Sequence, residues 1–250
     1  MTAPAARRPR SYVGVRGPDA ADFLQRMLSN DVEAAPCDAL LLTPKARVIA
    51  PLKLVRRGPD DFLLLTEPEL GETVRSALLR ARFGAKCEIE LEEHASTIVF
   101  DEVEGIPNGD YGEPAVEVLD RRVPTNIGEA ELERLRIAAG TPRWGREIDD
   151  RVMPAEAGLV SRAVSFTKGC YPGQEPVARL HYRGHANRGL RVLELEGPVP
   201  AYDAEVALAG KVVGRVTSAV EGLALAYVRT EVPADAELRI GSATLGRSRP

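Results

Sequence analysis

Ser165-Phe166-Thr167-Lys168-Gly169-Cys170-Tyr171-Pro172-Gly173-Gln174-Glu175 is the stretch on which the reading of this chain turns. Gly169 and Gly173 bracket a tight turn, where backbone can approach a ligand and positive φ costs little, and Pro172 stiffens it. Cys170 lies in that turn, close in sequence to Lys168 and Arg179, whose positive charge would stabilise its thiolate. The alternative is a small apolar side chain filling a bend, and chemistry alone leaves both readings open. Cys37 and Cys87 read as structural. Around the turn runs a basic series, Lys168, Arg179, His181, Arg183, His185, Arg188 and Arg191, against the single carboxylate of Glu175. Its density points to an anion site, for a polyglutamate tail, a phosphate or RNA; a solvated basic face is the plain alternative. His181 and His185 stand four apart, but the intervening Tyr-Arg-Gly disfavours a helix. No carboxylate is spaced to complete a metal pair, so no metal is expected.

Outward from this stretch the chain divides in two. Residues 1–186 read as an α+β region in which 140–186 is a long, irregular, Gly- and Pro-rich connection of the kind that is usually functional. Within it, 161–186 is the signature loop. Helices are predicted after Asp19, with Phe23, Met27 and Leu28 on one face, from Glu67-Pro68-Glu69 to Ala81, and over 129–139 with Gly140 as its stop. Strands are predicted at Ala46–Val55, Asp61–Leu65, Cys87–Leu91, Thr97–Phe100 and Ala115–Leu119. Residues 187–250 show short strand candidates, from Leu190–Leu195 to Ala243–Leu245, separated by Gly or Pro turns, which suggests a small antiparallel barrel or sandwich. No strand–GxGxxG–helix unit, P-loop, nucleophile elbow or H-E-x-x-H occurs.

Composition sets the frame. The 250 residues are 44% apolar and 28% charged, with a formal charge of −4, which excludes an all-over nucleic-acid coat and an acidic disordered tail. Apolar runs such as Leu63–Leu65 and Leu223–Val228 fall far short of the ~20 residues that span a bilayer. Three isolated cysteines exclude a disulfide framework or cysteine-cage zinc site and suit a reducing cytosol. The first ten residues, MTAPAARRPR, lack the apolar core of a secretory signal and read as a frayed tail, with a transit peptide as the alternative.

The signature continues as Glu175-Pro176-Val177-Ala178-Arg179 and Tyr182-Arg183-Gly184, and in this form resembles the K-G-C-Y-x-G-Q-E-x-x-A-R pattern of the YgfZ-type folate-binding proteins, with Pro172 at its variable position. Those proteins are cousins of the aminomethyltransferase of the glycine cleavage system. Leu28-Ser29-Asn30-Asp31-Val32, Gly109-Asp110-Tyr111-Gly112-Glu113 with Glu117-Val118, Leu135-Arg136-Ile137-Ala138-Ala139-Gly140, and Thr217-Ser218 to Val228 are each similar to superfamily segments. The resemblance implies two ferredoxin-like α+β halves and a C-terminal antiparallel β-barrel around a central hole for tetrahydrofolate or a derivative. It further implies that Glu113 holds the pterin and Arg136 helps to position it. Glu113 suits that role because a carboxylate can accept the paired N–H donors of an aminopyrimidine edge. Lys168, Gly169, Tyr171, Gly173, Gln174, Glu175, Arg179 and Arg183 would form the motif and anion-binding surface around the functional thiol of Cys170.

The departures from the transferase bear on activity. Pro51, in Val48-Ile49-Ala50-Pro51-Leu52, stands where the transferase has its catalytic aspartate, and Ala138 replaces a glutamate. Glycine-cleavage activity is therefore not expected. The leading expectation is a cytoplasmic folate-binding protein that supports iron–sulfur cluster assembly or repair and, through cluster enzymes, tRNA modification. Its partners would be folate and iron–sulfur proteins or their assembly machinery, with no membrane partner. One alternative is a folate-dependent one-carbon transferase or demethylase with a changed substrate, using Asp31, Glu67 or a histidine. Another is an RNA- or protein-binding module without folate.

Overall fold

The computed structural model describes residues 3–101, 103–241 and 244–249. The chain begins with β1 (Ala5–Arg7), β2 (Ser11–Arg16) and helix α1 (Ala20–Met27). Strands β3 (Cys37–Leu42), β4 (Val48–Gly58) and β5 (Asp61–Thr66) follow, then α2 (Gly71–Ala81) and β6 (Glu88–Glu92). Strands β2 to β6 form a five-stranded antiparallel sheet in the order β3-β4-β5-β2-β6. Strand β5 explains why Phe62–Leu65 has no polar alternation. With side chains alternating every second residue, Phe62 and Leu64 pack with α1 and α2, while Leu63 and Leu65 pack with Tyr12 and, from beyond the sheet, Ile106 and Leu119.

Strands β7 (Ser96–Val99), β8 (Ile106–Asn108) and β9 (Ala115–Leu119) join β1 in a second antiparallel sheet ordered β1-β7-β9-β8. Ala5 and Ala6 are buried and pair with Val99 and Ile98, so the segment expected to fray is an edge strand of this sheet. Small side chains let it lie close against β7, and Arg8 and Arg10 tie down the link to β2. Helix α3 (Glu129–Ala138) covers the sheet through Leu132 and Leu135 and reaches the C-terminal unit through Ile137, which packs on Leu223 and Leu225.

The irregular segment holds only α4 (Val160–Ala163) and α5 (Gln174–Arg183). It still has a core: Ile148, Val152, Leu159, Tyr171 and Val177 bury Leu40, Leu42 and Val48 of the first sheet. Beyond it, β10 (Arg188–Glu196), β11 (Glu205–Leu208), β12 (Lys211–Val220), β13 (Leu223–Arg229), β14 (Glu237–Ile240) and β15 (Thr244–Ser248) close into a six-stranded antiparallel barrel. Closure leaves the barrel without a free edge. Ala243, the start of the last strand predicted from sequence, lies outside the described residues.

Candidate functional site

A cavity of about 880 Å³ opens where the first sheet, the Asp110–Tyr111 turn, α3 and the segment 141–163 meet. That is the size of small-molecule sites. Leu40, Leu52, Tyr111, Trp144 and Leu159 contribute its apolar surface. The facing wall is a ladder of alternating charge. Lys53 Nζ donates to Asp38 Oδ1 at 2.8 Å, and Asp38 Oδ2 lies 2.7 Å from Arg162. Arg162 Nη2 also donates to Asp110 Oδ1, and the other oxygen of Asp110 is 3.7 Å from Arg10. Arg10 in turn holds the fully buried Glu117 through Nε at 2.8 Å and Nη2 at 2.9 Å. Charges this poorly hydrated persist only when paired. Burial pushes the Asp110 carboxyl up, but Arg162, Arg10 and Lys53 outweigh it and hold the group down at about 2. Glu117 is held below the ordinary range by Arg10, with Ser96 also donating to it, against a desolvation cost that pushes the other way.

Several expected residues take other places. Arg136 lines the cavity, but its guanidinium is fully engaged: Glu133, Glu147, Ser218 and the Thr141 carbonyl take all five N–H donors. It braces α3 against the barrel and has no donor left for a ligand. Glu113 is exposed in the turn after Tyr111 and does not line the cavity, because the turn aims Asp110 and Tyr111 inward instead. Pro51 lies on the cavity wall. Of the acid–base candidates, Asp31 accepts from the Glu33 amide and from Gln25 away from the cavity. Glu67 lines the cavity, bridged to Arg8 at 2.6 Å. His94 is bound to Glu92 and Asp120, and His181 and His185 are exposed.

The ladder residues were missed in the sequence, although a signal existed. Asp38, Lys53 and Glu117 are single charges inside the apolar strands CDALLL, PLKLV and AVEVL, where an unpaired charge would be intolerable. What the sequence could not supply was the partner in each case, 15 to 124 residues away.

The signature loop lies apart from the cavity, and none of residues 165–191 lines it. The loop is anchored to the Leu28–Val32 segment: the Ser165 amide donates to the Ser29 carbonyl at 2.9 Å, and Ser29 Oγ donates to the Ala163 carbonyl at 2.6 Å. Gly173 has φ +85°, and a Cβ there would come within 2.6 Å of the Thr43 carbonyl oxygen, so glycine is required. Gly169 adopts no such conformation. Tyr171 is buried in the second core. Lys168 does not act as a neighbour of the thiol. Its ammonium is buried against the carbonyls of Gln25, Leu28 and Asn30 at the end of α1, where it completes a helix C-terminus, and burial pulls it down to about 8. Cys170 is exposed, as are Glu175, Arg179 and Arg183, while Gln174 is half-buried.

The basic series is likewise divided by the fold. Arg188 pairs with Glu156 and Arg191 donates to the carbonyls of Arg229 and Val232, which leaves Arg179, His181, Arg183 and His185 at the surface. The His181 ring stacks on Phe166 with centroids 4.2 Å apart, and Tyr182 meets the Phe166 ring edge-on. Among the described residues, no group of three or more His, Cys, Asp or Glu could hold a metal ion, and no helix is long and apolar enough to cross a membrane.

Two sheets, a bridging helix and a terminal barrel, with the cavity between the sheets, α3 and the segment 141–163, make an aminomethyltransferase-like fold. The crystal structure of the glycine cleavage system aminomethyltransferase T from Bartonella henselae superposes on 100% of the chain and 86% of its own length, with a TM-score of 0.84 at 20% identity. Residues 187–250 match the family described as CAF17, C-terminal beta-barrel domain. The iron-sulfur cluster assembly factor IBA57, mitochondrial, of Mus musculus is 26% identical across 89% of this chain and 76% of its own. The tRNA-modifying protein YgfZ of Serratia proteamaculans is 27% identical across 79% of this chain and 73% of its own. The chain is thus similar in sequence to proteins of the YgfZ and IBA57 type.

Proposed function

We propose that the protein binds tetrahydrofolate or a derivative in the cavity and supports iron–sulfur cluster assembly or repair, and thereby tRNA modification, in the cytoplasm. The observation that supports the ligand class is the pairing of an apolar, aromatic-bearing surface with a wall of carboxylate and guanidinium groups, in a cavity of about 880 Å³. A pterin has a flat apolar body and a polar edge, and this cavity offers a surface for each. Tyr111, Trp144 and Leu52 would hold the ring, and the ladder would face its edge. Bound tetrahydrofolate would supply a reduced ring that can accept one-carbon units. With Pro51 in the wall, the chain offers no aspartate at that position to move a proton at the folate nitrogen.

Support for the iron–sulfur role comes from the relatives' names and the signature loop. Clusters would be the substrate of the process rather than a resident group, and the clients would be iron–sulfur proteins or their assembly machinery. In this reading Cys170 is the working thiol, with Gly169, Tyr171, Gly173 and Gln174 shaping its loop and Glu175, Arg179 and Arg183 presented beside it. Because Cys170 is exposed outside the cavity, it would meet a partner arriving from solvent rather than the bound folate.

Calorimetric titration with tetrahydrofolate tests the first half, and saturable binding at one site per chain is expected. Complementation of cells lacking the endogenous protein tests the second. Cys170→Ser should abolish rescue while leaving the melting temperature within a degree or two, as an exposed substitution does. Full rescue by the serine variant would remove the thiol from the mechanism.

A further inference from the structure

Arg10 and Asp110 present one unused donor and one unused acceptor side by side on the cavity wall. Arg10 gives Nε and Nη2 to Glu117, and its Nη1 makes no hydrogen bond among the described residues. Asp110 gives Oδ1 to Arg162, and its Oδ2 accepts no hydrogen bond among the described residues. Arg10 Nη2 and Asp110 Oδ2 are 3.7 Å apart, too long for a hydrogen bond but close enough to face one planar group together. Both side chains line the cavity. Each is held from behind, Arg10 by the buried Glu117 and Asp110 by Arg162, which Asp38 also holds at 2.7 Å. The pair is therefore fixed before any ligand arrives, which lowers the ordering cost of binding.

We infer that Arg10 and Asp110 read the 2-amino-4-oxopyrimidine edge of the ligand, with Asp110 Oδ2 accepting its N–H groups and Arg10 Nη1 donating to its carbonyl oxygen. An N–H donor next to a C=O acceptor is the complement of a carboxylate next to a guanidinium. This assigns the edge-reading role to Asp110, three residues before the exposed Glu113. It also explains why the wall carries so much buried charge: the ladder behind the pair keeps the Asp110 carboxylate ionised and the Arg10 fork oriented. The inference rests on the folate reading for the identity of the ligand, but not for the edge, which guanine also carries.

The test is calorimetry on the full chain with three ligands: tetrahydrofolate, its 2-desamino-2-methyl analogue, and guanosine monophosphate. Wild-type protein should bind tetrahydrofolate about tenfold to a hundredfold more tightly than the analogue, as expected for loss of a charge-assisted hydrogen bond. Asp110→Asn should weaken tetrahydrofolate by a similar factor and abolish the preference. Equal wild-type binding of tetrahydrofolate and analogue would overturn the inference without recourse to any variant. Unchanged affinity and preference in Asp110→Asn would overturn it while leaving the folate reading intact. Binding of guanosine monophosphate alone, weakened by Asp110→Asn, would uphold the edge-reading pair and overturn the folate reading.

Discussion

In the cavity wall the side chains of Arg10, Asp110 and Arg162 are 7, 15 and 29% exposed and each lies against an opposite charge, whereas on α5 Arg179 and Arg183 stand in solvent. Residues of both groups belong to stretches with chemistry-bearing composition, yet they differ in what the fold demands of them. A charge withdrawn from water has to be paired, so each member of the wall contributes to stability as well as to any ligand. The α5 residues and Cys170 make no such contribution and are free to serve a partner. Mutations should therefore separate the two regions: stability responds in the wall, cellular function in the loop.

The strongest way to break this contrast is Glu117→Ala. It leaves the buried Arg10 without its partner and should destabilise the protein by about 3–5 kcal/mol, read as a lower urea midpoint at unchanged slope. A loss below about 1 kcal/mol would mean that water reaches Arg10 and that the wall is not a buried network.

Gly173→Ala probes where the two regions touch, since a Cβ there meets the Thr43 carbonyl and φ is +85°. About 1–3 kcal/mol should be lost, with the start of α5 and the Cys170 turn displaced. The altered cysteine environment would show as changed reactivity towards a thiol reagent. An unchanged melting curve would show that the loop is not fixed to the first sheet.

A smaller effect sharpens the contrast through pH. The Asp110 carboxyl is lowered from the ordinary 3.8 to about 2, so its ionised form favours the folded state. That contribution, on the order of 2 kcal/mol, is fully present above about pH 4 and is lost as pH falls through the interval towards 2. The stability gap between wild type and Asp110→Asn should be level above pH 5 and narrow below pH 4. A gap that stays constant down to pH 2 would mean the neighbouring cations do not act on this group.

The terminal barrel was legible because short apolar strands with Gly and Pro turns leave a local signature, although its closure also pairs β10 with β13 and β15, and β11 with β14, which are not neighbours in sequence. The edge strand β1 was not legible: Ala5 and Ala6 have no strand propensity of their own, and only β7 makes them a strand. Helix α5 was missed for a related reason. The Tyr-Arg-Gly between His181 and His185 argues against a helix, yet the helix runs through Tyr182 and Arg183 and ends at Gly184, and Pro176 in its first turn is tolerated where amides have no helical partner anyway. Lys168 illustrates the same limit at the site. Its closeness to Cys170 in sequence suggested an electrostatic pair, but the carbonyls at the end of α1, about 140 residues away, hold its ammonium.

The sequence by itself determined that the chain is α+β with a small C-terminal β-unit and that its Lys168–Arg179 motif resembles that of the YgfZ-type proteins. These follow from periodicity, turn chemistry and a dense local motif, all read within a few residues. Only the tertiary structure decided that Cys170 faces away from the cavity, that Arg136 is a brace, and that Asp110 rather than Glu113 is turned inward. The physical reason is that a buried charge is defined by its partners. Those partners came from positions 10, 38, 53, 117 and 162, which no local pattern connects and only the folded chain brings within hydrogen-bonding distance.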